Sequence, residues 1–162
     1  MKSFGFNMSH LRALSVAAGL VLAASAAQAQ SGPFAGFEGS WSGSGTVSLA
    51  SGANEKIRCR ATYAGSGNTL KQTLRCASDS YTFDLSSNVM SQGDRVSGNW
   101  SESSRSINGS LQGTAGGGQI QIFVEAAGFA ANIALTTRGN KQQVSISSKG
   151  EIKGVNITMV KG

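Results

Sequence analysis

The chain has 162 residues, with 22 Gly, 1 Pro, 2 Cys and 1 His, and 14 Lys plus Arg against 8 Asp plus Glu, a formal net charge of +6. That length allows one domain, or a small domain with extra pieces. The only histidine is His10, in a segment that reads as a removable export signal; without it the chain has no imidazole, which excludes Ser-His-Asp and Cys-His nucleophiles, a histidine base and a histidine-ligated metal.

Met1 to Ala29 places Lys2 and Arg12 ahead of an apolar run from Leu14 to Ala24 and ends in Ala27-Gln28-Ala29, the small-x-small pattern of a signal-peptidase site. The run is much shorter than the roughly 20 apolar residues of a helical span. The first cysteine after the site is Cys59, so no thiol stands at the new N-terminus for lipid attachment. Cleavage after Ala29 leaves 133 residues, with 12 basic and 8 acidic side chains and a net charge of +4. The expected organisation is a signal peptide at 1–29 and one domain at 30–162 with a short leader at 30–38. The expected location is the periplasm or the medium, with no transmembrane span. The basic excess is too small to imply a nucleic-acid partner, but it draws the protein weakly toward anionic surfaces.

After a Gly/Ala/Phe-rich leader containing Pro33, apolar residues recur at every second position. Ile57, Cys59, Ala61 and Tyr63 alternate with Arg58, Arg60 and Thr62. The same alternation runs through Tyr81, Phe83 and Leu85, through Ile120, Ile122 and Val124, through Phe129, Ala131, Ile133 and Leu135, and through Val155, Ile157 and Met159. Period two is the strand period, and no segment after the leader sustains a helical one. About ten short strands are expected.

Turn chemistry predicts the pairing. A hairpin closed at Gly67-Asn68 sets Cys59 opposite Cys76, within reach of a disulfide that an oxidising compartment would allow. A next turn centred on Ser78-Asp79 pairs Leu74 with Phe83 and Cys76 with Tyr81, and puts Asp84 opposite Thr73. Turns at Gly93-Asp94 and Gly139-Asn140 bring Val96, Gly98 and Trp100 onto the face of Leu85 and Val89, and set Leu135 against Val144 and Ile133 against Ile146. Lys149-Gly150 permits a bulge as readily as a tight turn. The result is an all-β antiparallel meander of about eight to ten strands. It buries its apolar face by closing into a barrel, or alternatively by folding into a sandwich. Gly43, Gly45, Gly98, Gly109 and Gly113 lie inside strands, where glycine permits the sharp bends a barrel needs.

Gly39-Ser40-Trp41, opening the first strand after a short leader, resembles the Gly-x-Trp of calycin barrels, the lipocalin and avidin group. The resemblance implies an eight- to ten-strand barrel, with Trp41 closing one end and a small apolar or amphipathic ligand in the lumen. No second lipocalin motif supplies a basic residue over Trp41, and avidin's polar ligand contacts have no counterpart. Gly98-Asn99-Trp100 repeats the triplet mid-chain, either as an internal duplication or as a chance recurrence. The chain as a whole is also similar to small exported proteins of alphaproteobacteria, a likeness that implies no particular activity.

Two constellations stand out. Trp41, Tyr63, Tyr81, Phe83 and Trp100 share the inward face; they either line a ligand pocket or fill a small barrel. Arg58, Arg60, Lys71 and Arg75 share the outward face of two neighbouring strands, with Arg60 directly opposite Arg75 and Asp84 placed to neutralise part of the cluster. That face is either an anionic-partner site or a solvated wall. The eight carboxylates form no recognisable catalytic or calcium pattern, and Gly116-Gly117-Gly118 opens no helix to cradle a nucleotide. No cofactor, metal site or catalytic residue is expected. The sequence therefore points to an exported, non-enzymatic barrel holding a small apolar or amphipathic envelope molecule. The alternative is a ligand-free module docking its basic face on an anionic polymer or partner protein.

Overall fold

A computed structural model describes residues 32–162; the expected signal peptide lies outside the described residues. The chain forms ten strands: β1 (Gly39–Leu49), β2 (Asn54–Ser66), β3 (Thr69–Ala77), β4 (Thr82–Gln92), β5 (Arg95–Glu102), β6 (Ile107–Gly116), β7 (Gln119–Ala126), β8 (Phe129–Arg138), β9 (Lys141–Ser148) and β10 (Ile152–Lys161). Each pairs antiparallel with its neighbour in sequence, and β1 pairs with β10, so the sheet closes into a barrel. Closure removes both sheet edges and settles the choice between barrel and sandwich.

The tight turns behave as their residues demand. Gly67, Gly93 and Gly139 each open a two-residue turn with φ of 60°, 67° and 58°, the left-handed first position of a Gly-first hairpin turn. Cys59 pairs with Cys76 and Leu135 with Val144, both as expected, and Gly98 shares the face of Val89, with which it pairs. One register differs: Leu74 pairs with Leu85 and Cys76 with Phe83, not with Phe83 and Tyr81. The cause is a four-residue loop, Ser78–Tyr81, instead of a two-residue turn. The Glu55 carboxylate accepts hydrogen bonds from Ser78 Oγ (2.8 Å) and Ser80 N–H (3.1 Å), and Ser78 N–H bonds Tyr81 O (2.8 Å). These bonds hold Glu55 below the usual carboxylate pKa, those of Ser80 and Ser78 being the main causes. Because the shift is two residues, every side chain keeps its face.

Inward residues form one apolar core from Phe34 and Phe37 to Met159. The outward rows are mostly Ser, Thr, Asn, Gln, Lys and Arg; that of β1, for example, is Ser40, Ser42, Ser44, Thr46 and Ser48. This is the reverse of a membrane barrel, whose lipid-facing side is the apolar one. Among the described residues no helix is long and apolar enough to cross a membrane. The seam between β1 and β10 is tight: a Cβ on Gly43 or Gly45 would come within 2.0 Å or 1.8 Å of the carbonyl oxygen of Thr158 or Asn156. Bare glycine lets the two backbones coil together there.

The Cys59–Cys76 disulfide forms across the β2–β3 hairpin, with a Cα–Cα distance of 4.1 Å, and both residues are buried on the inward face. Converting both cysteines to alanine is expected to cost about 3 kcal/mol by the chain-entropy model. The loss will be smaller if hairpin pairing already restrains the reduced chain. Denaturant unfolding of the native and Cys→Ala proteins measures it, and equal midpoints would show that the bond contributes nothing.

Candidate lumen site

The two ends of the barrel are built differently. At one end the leader folds inside: Phe34 and Phe37 are buried, and the turn is held by Ala35 N–H to Gly32 O and Phe37 N–H to Phe34 O, both 3.2 Å. Trp41 Nε1–H donates to Phe37 O at 2.7 Å, and Phe37 meets the Tyr63 ring edge-on at 6.1 Å. Below them Tyr63 O–H donates to Gln142 Oε1 (3.0 Å), and Gln142 Nε2 donates to Thr137 Oγ1 (3.0 Å). This chain satisfies three polar groups that closure removes from water. Burial pushes the Tyr63 phenol well above its usual pKa, with the Gln142 bond acting the other way. Lys161 Nζ lies 5.4 Å from the Trp41 ring centroid, so the last strand supplies a cation over the tryptophan that no sequence motif announced.

Above this plug the lumen holds a cavity of about 330 Å3, lined mainly by Leu74, Leu111, Ile122, Ile133, Val144 and Ile157. Its mouth lies at the opposite end, where the 78–81, 103–106 and 149–151 loops meet. Tyr81 and Phe83 stack there at 6.3 Å, the Arg105 guanidinium lies 5.2 Å from the Phe83 centroid, and Trp100 packs edge-on against Phe129 at 5.7 Å. Phe129 is partly exposed to solvent. Tyr81 O–H donates to Glu151 Oε1 at 2.9 Å and ties the first loop to the third; that bond raises the phenol pKa.

Of the five aromatic residues expected inside, Tyr63, Tyr81, Phe83 and Trp100 line the cavity. Trp41 sits in the plug beneath it, so the five do not form one site. The two tryptophans occupy opposite ends: Trp100 Nε1–H donates to Ser110 O (3.0 Å) near the mouth.

The residue that organises the mouth escaped sequence reading. Glu102 points inward and is buried. It accepts the N–H groups of Asp84 (3.1 Å), Ser104 (3.2 Å) and Arg105 (2.8 Å) and the Ser104 hydroxyl. The Arg105 guanidinium lies 3.6 Å from its second oxygen. Burial alone would raise the carboxyl pKa, but the Ser104 hydroxyl and the three N–H groups reverse the sign and hold it below the usual value. The anion thus fixes the 103–106 turn, where Ser106 adopts a φ of 53°.

Since its folded pKa lies below the unfolded one, Glu102 stabilises the fold at pH above about 4.3, the ordinary glutamate value, and the contribution fades as pH falls through the lower folded value. Glu102→Gln is expected to flatten this part of the acid limb of an unfolding-versus-pH profile. Parallel acid limbs in the two proteins would show that Glu102 is not the group responsible.

Outside, Arg58, Arg60, Lys71 and Arg75 are exposed on β2 and β3, and Arg60 is directly opposite Arg75. Asp84 faces Arg75, not Thr73, because of the two-residue register difference, and its Oδ2 lies 3.2 Å from Arg75 Nε.

The geometry defines a closed ten-stranded antiparallel barrel with an apolar lumen open at one end. No family model and no curated protein matches the chain. Among solved structures it is similar to the crystal structure of Rv2717c from M. tuberculosis, with a TM-score of 0.63 and 13% identity over 77% of this chain and 92% of that one. A likeness at this identity shows the fold alone.

Proposed function

We propose that the protein is an exported, non-enzymatic carrier that holds a small apolar or amphipathic envelope molecule in its lumen. The observation that carries this reading is the one-ended apolar cavity of about 330 Å3, which lies within the range of small-molecule sites. A core required only for stability would fill that space, since empty apolar volume costs packing energy. Closure of one end by Phe34, Phe37 and Trp41 gives a ligand a single way in and out, past Tyr81, Phe83, Trp100 and Phe129. The calycin-like Gly39-Ser40-Trp41 opening supports the same use of the lumen. Export is supported by the leader sequence and by a disulfide suited to an oxidising compartment. The absence of histidine after residue 10 supports binding rather than catalysis.

Native mass spectrometry of protein recovered from the host's periplasm or medium tests the reading. The expected result is a chain beginning at Gln30, carrying a stoichiometric adduct that denaturation releases. In parallel, the fluorescent probe N-phenyl-1-naphthylamine is expected to bind saturably, and Ile133→Trp, which fills the lumen, to abolish that binding. A bare mass together with no saturable probe binding overturns the carrier reading. A chain retaining residues 1–29 overturns export.

A further inference from the structure

Charge is distributed unevenly around the barrel wall. The five consecutive strands β9, β10, β1, β2 and β3 carry Lys141, Lys153, Lys56, Arg58, Arg60, Lys71 and Arg75, besides Lys161 over Trp41 at the plug, and their single carboxylate, Glu55, is occupied with the 78–81 loop. Strands β4 to β8 carry Asp84, Glu102 and Glu125 against Arg95 and Arg138. Among the described residues the ion pairs are Arg75–Asp84 and Arg105–Glu102, so Lys56, Arg58, Arg60 and Lys71 have no carboxylate partner. Directly opposed like charges destabilise a sheet, yet Arg60 lies opposite Arg75.

The register sets out this wall residue by residue. Lys56, Arg58 and Arg60 stand in a row along β2, spaced about 6–7 Å, and Arg75 lies about 5 Å away on the next strand. On the other side the row is flanked by Thr46, Ser44 and Ser42 of β1, and these by Asn156 and Thr158 of β10. A line of cations beside a field of hydroxyls and amides suits a polymer that carries both anions and hydroxyl groups. No aromatic residue lies on the outward rows of these five strands, so unpaired bases would have nothing to stack on. Val160 is the only large apolar side chain there, too little for a protein hot spot or a bilayer anchor.

We propose that this wall, independently of the lumen, binds an acidic polysaccharide, with Arg58 and Arg60 pairing its anionic groups and the β1 and β10 hydroxyl and amide rows taking its hydroxyls. Asp84 competes with the polymer for Arg75.

Calorimetric titration of the purified protein with polygalacturonate at low salt tests this, with neutral dextran, oligo(dT) and phosphatidylglycerol vesicles as comparisons. Polygalacturonate is expected to bind best and to weaken as salt rises. Arg58→Gln/Arg60→Gln is expected to lower affinity at least about tenfold, the loss of two charge-assisted contacts. Asp84→Asn is expected to raise it a few-fold by freeing Arg75. Arg95→Gln/Arg138→Gln, on strands β5 and β8 away from the β2 row, is expected to leave it unchanged, and probe binding in the lumen to persist in all three variants. Undiminished binding by Arg58→Gln/Arg60→Gln, an equal loss in Arg95→Gln/Arg138→Gln, or no gain in Asp84→Asn overturns the proposal. Equal binding to dextran, or tighter binding to oligo(dT) or vesicles, overturns the assignment to an acidic glycan.

Discussion

Replacing Gly45 by alanine is expected to unfold the barrel at its seam. The added Cβ would stand 1.8 Å from Asn156 O and 2.7 Å from Ile157 Cα. Both are backbone atoms of the strand that closes the sheet, so no side-chain rotation relieves the clash. Relief requires β1 and β10 to separate, which breaks hydrogen bonds of the pairing that runs from Trp41↔Lys161 to Leu49↔Ile152. The expected destabilisation is more than about 3 kcal/mol, beyond the ordinary range for overpacking. Gly116→Ala is the control: it sits at a strand end with nothing within 4 Å and no left-handed φ, so it is expected to be neutral or slightly stabilising. Thermal or denaturant unfolding of the two variants compares them directly. Equal stability would mean that the seam is looser than it stands here.

Removing the Trp41 side chain is expected to have the second large effect, and it links stability to the lumen. Trp41 is 2% exposed and Phe37 is fully buried against it. Trp41→Ala is expected to cost about 3–5 kcal/mol, the usual range for deleting a buried aromatic side chain. Besides its packing, the indole holds the leader through Nε1–H to Phe37 O, so the variant also releases the plug. A lumen probe is then expected to dissociate faster, because the barrel gains a second opening. Trp41→Phe separates the two contributions: it keeps most of the packing, loses the hydrogen bond, and is expected to cost about 1 kcal/mol for that bond. An unchanged dissociation rate in Trp41→Ala, with the barrel still folded, would show that the leader is not the stopper.

The first prediction joins strands far apart in sequence and the second a leader that folds into the barrel's end, and neither arrangement is a hairpin contact that could be read in advance. Face and hairpin register are local properties. A side chain's face follows from counting by two, and a Gly-first turn fixes a pairing within a few residues of itself. The Cys59–Cys76 pairing and the inward positions of Tyr63, Phe83 and Trp100 were therefore legible. The β3–β4 register was not, because Glu55, more than twenty residues upstream, enlarges that loop through Ser78 and Ser80.

Depth along the lumen was also hidden. Trp41 and Trp100 show the same alternation, yet one lies in the plug and the other near the mouth: Trp41 stands third in β1 and Trp100 sixth in β5, two strands that run the same way along the barrel. Glu102 ends β5 two residues after the inward Trp100, so counting by two sets it on the apolar face, but its role depends on N–H groups of β4 and of the following turn converging on one carboxylate. Strands, their inward and outward faces and the disulfide were readable from the order of residues, since these depend on neighbours along the chain. The tertiary structure alone decided that β1 meets β10, that the leader fills one end, and that an apolar cavity remains at the other. Those outcomes depend on how ten tilted strands share one enclosed volume, which no local pattern records.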